Sequence, residues 1–240
     1  MFDFKLFNIS VRVEPWFWLT AFFVGGGFHM DFNNQALIGV ILTMLVVFVS
    51  ILVHEFGHAL TSRKFTGVNP DVKLWAMGGL AYPNTQLTRK QSFWVTWAGP
   101  LAGLGLFVLT ALATCAAYGV NTGLSIIGFL AYRDLGLTPE AAYIFFGEMH
   151  WVTRELLFSM VFVNFWWSVI NLLPVFPLDG GQIYAAIEKS PRKVFQLGMV
   201  VGGIVAVIAL VHFQRIFVAA LFGYLASQNY QRLQQLGGGR

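Results

Sequence analysis

The sequence predicts an all-α polytopic membrane protein, with about six transmembrane helices and a short β-hairpin on the cytoplasmic side. Three observations predict it. The 240 residues are 57% hydrophobic and 11% charged, with a mean hydropathy of +0.66, whereas a soluble domain carries roughly 25% charged residues. Charge-free runs long enough to cross about 30 Å of hydrocarbon recur along the chain. The basic residues are concentrated in alternate loops, as the positive-inside rule requires. This composition excludes an ordinary cytosolic enzyme and a disordered regulator. The net charge of +4 lies in short loops between apolar runs and is no footprint for nucleic acid. A single cysteine, Cys115, excludes an intrachain disulfide and a Cys-rich metal cluster.

The first run, Pro15 to Met30, is aromatic-rich and short. Acidic Glu14 precedes it and no small-residue cleavage site follows Phe28, so it is not read as a signal peptide. Phe32 to His54 is free of Asp, Glu, Lys and Arg and forms the second span. Gln91 to Tyr132 is charge-free and supplies a third span over about Phe93 to Tyr118, then a stretch at the outer surface. Within the long outer segment, about Gly119 to Glu155, Thr138-Pro139-Glu140 reads as an N-cap, a first-turn proline and a favourable anion, predicting a helix that runs into the next span. Leu156 to Leu178 is the fourth span. Val194 to Gln214 and Ile216 to Gln231, separated by Arg215, read as two short spans in preference to one bent helix. With six spans both termini share one side. The 15 Lys and Arg then divide as 12 inside and 3 outside, which puts the N-terminus in the cytoplasm. Residues 1–240 are read as one integral-membrane domain, with a core over about 35–181 and C-terminal spans over about 194–231.

The second span ends in His54-Glu55-Phe56-Gly57-His58. Ionisable groups at this depth are costly and mark function. Positions i and i+4 of a helix share a face, so His54 and His58 aim two imidazoles at one point, with Glu55 beside His58 at i+3. Two imidazoles suit Zn²⁺, and the carboxylate suits a general base acting on water. With 5 His and 6 Glu in the chain, chance placement of this pattern has a probability of roughly 0.003. A catalytic zinc needs a third protein ligand. Asp179 is the best candidate: it follows the fourth span in Asn171-Leu-Leu-Pro-Val-Phe-Pro-Leu-Asp179-Gly180-Gly181, at a depth comparable with His54 and His58. Its alternative role is an N-cap for the next segment. Val72 to Met77 and Leu80 to Tyr82 read as two short strands around Gly78-Gly79. That hairpin either holds an unwound substrate by strand addition or plugs the inner mouth. Gly99, Gly103 and Gly105 read as close helix packing, Cys115 as a small buried hydrophobe, and His29, His150 and His212 as interfacial or packing histidines.

Together, H-E-x-x-H in a membrane helix and the later N-x-x-P-x-x-P-L-D-G-G resemble the site-2 protease family of intramembrane zinc metalloproteases. Met77-Gly78-Gly79-Leu80 and Ala98-Gly99-Pro100-Leu101-Ala102-Gly103 are similar to the family's glycine-containing hairpin and third-span signature. The resemblance covers about Ser50 to Gly181. It implies one zinc ion held by His54, His58 and Asp179, Glu55 as catalytic base, and Asn171 as a donor to the scissile carbonyl or, alternatively, a partner in a helix–helix hydrogen bond. The expected activity is cleavage of a transmembrane segment of a membrane-protein substrate near the cytoplasmic face, as in regulated intramembrane proteolysis. The expected surroundings are the lipid bilayer of a prokaryotic cytoplasmic membrane, with no nucleic-acid partner. No soluble stretch is long enough for an appended PDZ-like or CBS-like domain. The rival readings are a membrane transporter with a metal site and a non-proteolytic scaffold that binds membrane helices.

Overall fold

The structure is a computed structural model that describes residues 1–25, 27, 33–76, 78–135 and 149–237. Among these residues the chain is mostly helical. Strands β1 (Phe2–Leu6) and β2 (Ile9–Val13) lead into α1 (Pro15–Val24) and α2 (Asn34–Thr66). Strands β3 (Asp71–Trp75) and β4 (Gly78–Tyr82) precede α3 (Arg89–Tyr118) and α4 (Val120–Leu135). Helices α5 (Trp151–Asn171), α6 (Asp179–Ile187), α7 (Pro191–Val211) and α8 (Ile216–Gln235) complete the order.

Three of these helices, α2, α3 and α7, are long and apolar enough to cross a membrane. The expected count of six is not reached on length and composition. Ten-residue α1 spans about 15 Å, half the hydrocarbon thickness. Helix α5 starts earlier than the apolar run and takes in Arg154 and Glu155, and the C-terminal part of α8 is polar. The last two runs are separate helices, α7 and α8, joined at Gln214, which has a positive φ of 52°. The helix expected from Thr138 lies outside the described residues, as do His29 and Met77. Helix α5 itself starts at Trp151, where the His150 ring accepts a hydrogen bond from the Val152 N–H at 3.4 Å.

Helix α2 differs most usefully from expectation. The apolar run stops at His54, but the helix continues to Thr66, so the H-E-x-x-H residues lie within a continuous helix. Its start is fixed by the Asn33 side chain, which accepts from the Ala36 N–H at 2.8 Å. Its end is Gly67 at φ 72°, the left-handed position that glycine supplies at least cost, with Arg63 and Lys64 in the last turn.

The expected two-stranded hairpin is half of a four-stranded sheet in the order β1-β2-β3-β4. Strands β1 and β2 form an antiparallel hairpin through Phe7 and Asn8, both at positive φ. Strand β2 then pairs in parallel with β3, from Ser10 opposite Asp71 to Val13 opposite Leu74. The alternation in β2 is regular: Ile9, Val11 and Val13 are buried, while Ser10 and Arg12 are exposed. The buried face, with Val72 and Leu74 of β3, packs on Ile51, Phe56 and Ala59 of α2 and on Phe17 and Ala21 of α1. The sheet is thereby fixed to the half of α2 that carries the histidines.

Helices α2, α3 and α5 form the central layer. A Cβ at Gly57 would overlap the Ala98 backbone, and one at Gly103 would overlap Ser168 Oγ, so α2–α3 and α3–α5 meet at near-backbone distance. Gly105 faces open space and has no such role. Polar rungs join α2 to α5: Asn164 donates to Ser50 Oγ at 2.9 Å, and the Thr43 and Ser159 hydroxyls lie 3.0 Å apart. Cys115 is half-buried against Gly123 of α4. Helices α7 and α8 pack along each other. Phe222 and Leu225 of α8 also cluster with Val175 in the loop between α5 and α6.

Leu74 is fully buried between the sheet and α2. Leu74→Ala is therefore expected to destabilise the protein by about 2–5 kcal/mol and to lower its thermal midpoint in detergent, while Lys73→Ala on the opposite face changes it little.

Candidate metal centre

Residues from two distant stretches converge here. His54 and His58 lie one helical turn apart on α2, and Asp179 opens α6. The Asp179 carboxylate reaches both rings: Oδ2 lies 3.0 Å from His54 Nε2 and 3.4 Å from His58 Nε2. The two Nε2 atoms are 3.2 Å apart. All three side chains are buried.

These distances test whether a metal fits. A tetrahedral zinc with bonds of about 2.0–2.1 Å to nitrogen and oxygen has ligand–ligand edges of roughly 3.3 Å. The triangle, with edges of 3.0, 3.2 and 3.4 Å, matches one face of that tetrahedron. The tautomer agrees. His58 Nδ1 is 2.7 Å from the Val95 carbonyl oxygen, which only accepts, so Nδ1 carries the proton and Nε2 offers its lone pair to the cluster. His54, His58 and Asp179 form a group able to hold a metal ion, and its donor set of two imidazoles and one carboxylate suits zinc.

Small residues make this close approach possible. A Cβ at Gly99 of α3 would occupy the His58 ring, and one at Gly79 of β4 would occupy the Glu55 carboxylate. Gly78, at φ 111°, accepts the edge of the Trp167 indole in the same way, and Trp167 packs edge-on to His54 with centroids 6.5 Å apart. Glu55 is buried and faces the Ala81 backbone N–H of β4. The sheet therefore forms one wall of the site, with the base candidate enclosed between α2 and β4.

Asp179 is held by its own loop. Gly180 and Gly181 lie so close to the Leu172, Val175 and Phe176 backbone that any Cβ there would overlap it, so the loop winds over the first turn of α6. At the other end of α6, Arg89 donates to the Ala185 and Glu188 carbonyls at 3.1 and 2.7 Å. The Glu188 carboxyl is held below its ordinary range, chiefly by the Ser190 backbone N–H at 2.9 Å. That bond fixes the corner into α7.

The structure thus brings together His54, Glu55, His58, Asp179, Gly78 and Gly79. Asn171 sits apart from the metal-binding atoms in its bonding: its amide donates to the Trp167 carbonyl at 2.9 Å, one turn back in α5. Asp179 is the first residue of α6, preceded by Leu178 at the cap position, and makes no capping hydrogen bond, so the alternative reading as an N-cap fails. Sequence reasoning missed Val95, which acts through its backbone carbonyl, and Arg89, which acts on the Ala185 and Glu188 carbonyls, and it read Gly99 only as a packing glycine.

Residues 42–211 match the model of peptidase family M50. The chain is 22% identical over 241 residues to a zinc metalloprotease of Methanocaldococcus jannaschii, across 97% of this chain and 61% of that protein. It is 28% identical over 193 residues to a candidate zinc metalloprotease of Synechocystis, across 76% of this chain and 42% of that one. The chain thus spans less than two thirds of the length of these curated relatives. The fold is similar to a solved site-2 protease from Methanocaldococcus jannaschii, with a TM-score of 0.57, 20% identity and 95% of each chain covered. The family match takes in both histidines, Glu55, Asp179 and the helices that carry them, and on that match this chain belongs to peptidase family M50, the site-2 protease family.

Proposed function

We propose that this chain is an intramembrane zinc metalloprotease that cleaves transmembrane segments of membrane-protein substrates near the cytoplasmic face, in regulated intramembrane proteolysis. One observation carries the reading: two imidazoles and a carboxylate form a zinc-sized triangle inside apolar helices, with the carboxylate of Glu55 beside it. His54, His58 and Asp179 would hold one zinc ion, leaving a fourth position open. Zinc bound there supplies Lewis acidity to the scissile carbonyl and makes water acidic enough to lose a proton near neutral pH.

The chain's own groups do the rest. Glu55 takes the proton from the attacking water and passes it to the departing amine nitrogen. Enclosure by β4 and α2 keeps its carboxylate at one place. A helical substrate hides its carbonyls in backbone bonds, so it must unwind before attack. Strand β4 is one edge of the sheet and, among the described residues, pairs with β3, so its outer edge, next to Gly78 and Gly79, can hold the unwound segment by strand addition. Asn171 lies at the end of α5. Rotating its amide away from the Trp167 carbonyl would free a donor for the developing oxyanion.

We read residues 1–240 as one membrane domain that crosses about six times in a prokaryotic cytoplasmic membrane, with the N-terminus inside. The 12-to-3 division of Lys and Arg supports that orientation. The partners are then a substrate with a transmembrane helix and the surrounding lipid.

Four tests follow from these roles. Glu55→Gln should retain zinc and lower cleavage of a membrane-embedded substrate by about 10²–10⁴-fold. A chelator should abolish cleavage by the unsubstituted protein, and added zinc should restore it. Cleavage that survives chelation would overturn the assignment, and metal-dependent solute flux insensitive to Glu55→Gln would identify a transporter. Substitutions at the two glycines should separate: Gly99→Val displaces His58 and lowers zinc content, while Gly79→Val displaces Glu55 and leaves zinc bound with little cleavage. Proline at Ala81, whose N–H points away from β3, should reduce cleavage more than expression if β4 holds the substrate, and normal cleavage would remove the strand-addition role.

A further inference from the structure

Helix α8 lies outside the metal centre, yet it reaches the backbone that aims Asp179. Asn229 is fully buried, with 0% exposure. Its Nδ2 donates to the Phe176 carbonyl at 2.7 Å and to the Leu225 carbonyl of its own helix at 2.8 Å. Among the described residues its Oδ1 has no hydrogen-bond partner, and a buried amide oxygen left bare costs free energy. Gly198 of α7 makes room for the amide: a Cβ there would overlap Asn229 Oδ1 and lie 3.3 Å from Phe176 N. One turn further along α8, the Arg232 guanidinium lies 4.6 Å above the Phe176 ring. The Phe176 ring packs edge-on against Phe195 of α7, with centroids 5.8 Å apart.

Phe176 is therefore gripped at its carbonyl and at its ring, three residues before Asp179. The links between grip and ligand are short and stiff. Leu178 N–H donates to the Val175 carbonyl at 2.8 Å, and a Cβ at Gly181 would overlap the Phe176 backbone. A rotation of the Phe176 peptide must therefore move the start of α6, and with it the carboxylate that completes the triangle. A group needed only for the α7–α8 contact would be a small apolar residue. An amide that leaves its oxygen unpaired in order to reach another element's carbonyl has a more specific use.

We propose that Asn229 is a positioning residue for the third metal ligand: its bond to the Phe176 carbonyl sets where Asp179 sits, which makes the α7–α8 pair part of the metal site's support. This rests on the reading of His54, His58 and Asp179 as zinc ligands.

The test uses the full-length protein in detergent, with zinc affinity measured by chelator competition and thermal midpoints taken on the metal-free form. Asn229→Leu keeps the volume and removes the donor, and its zinc dissociation constant should rise about 10-fold or more. Gly198→Ala pushes on the same amide from a different helix and should raise it in the same direction, so the test survives if Asn229→Leu does not fold. Absorption of the Co²⁺-substituted protein should shift in both variants, reporting altered ligand geometry. A purely structural role would lower the metal-free midpoint and leave affinity and Co²⁺ spectrum as in the unsubstituted protein, which overturns the proposal. Asp179→Asn is the control. If it loses affinity while the Asn229 and Gly198 variants do not, the positioning role alone falls. If Asp179→Asn binds zinc like the unsubstituted protein, the metal-site reading falls and takes the positioning role with it.

Discussion

The rest of the structure depends on the approach of Asp179 to two imidazoles across a helix boundary. Three buried polar groups brought this close lose hydration, and a cation at their centre would compensate that loss. The protein supplies the geometry in advance. His58 is oriented by a main-chain carbonyl of α3, and Asp179 by a loop folded tightly over its own helix. Two of the three candidate ligands, His58 and Asp179, are thus held by backbone, which is less free to move than another side chain would be.

Glycine is the second common device. At the centre of the molecule, missing side chains matter more than present ones: Gly99 leaves space for an imidazole, Gly79 for a carboxylate, and Gly57 for a neighbouring backbone. Helices α2 and α3 and strand β4 can therefore share a volume too small for ordinary residues. The lost side chains forgo dispersion contacts and burial. The gain is a site in which His58 and Glu55 lie directly against the main chain of α3 and β4.

Much of this was legible in the sequence, for local reasons. The spacing of His54, Glu55 and His58 fixes their common face once the segment is helical, and the apolar run guarantees the helix. Asp179 was legible because prolines and glycines must end the fourth run there. The N-terminal strands went unread although Phe2 to Val13 alternates with period two about Asn8, because attention to long apolar runs passes over a five-residue strand. The parallel pairing of β2 with β3 joins residues some 60 positions apart, which no local pattern announces. Among the described residues three helices are long and apolar enough to span, fewer than the apolar runs suggest, because hydropathy runs and helix ends differ. Helix α5 begins among charges, α2 continues past its apolar stretch, and α1 is shorter than its run. The supporting contacts of Val95, Arg89 and Asn229 were invisible because each involves a main-chain carbonyl, which has no sequence signature.

The parallel pairing of β2 against β3 also bears on how this protein can be handled. Strand β2 lies between β1 and β3, so residues 9–13 are an inner part of the sheet. Removing them would leave the β3 backbone edge unpaired and strip Ile9, Val11 and Val13 from the apolar face above α2, inviting association through the bared edge.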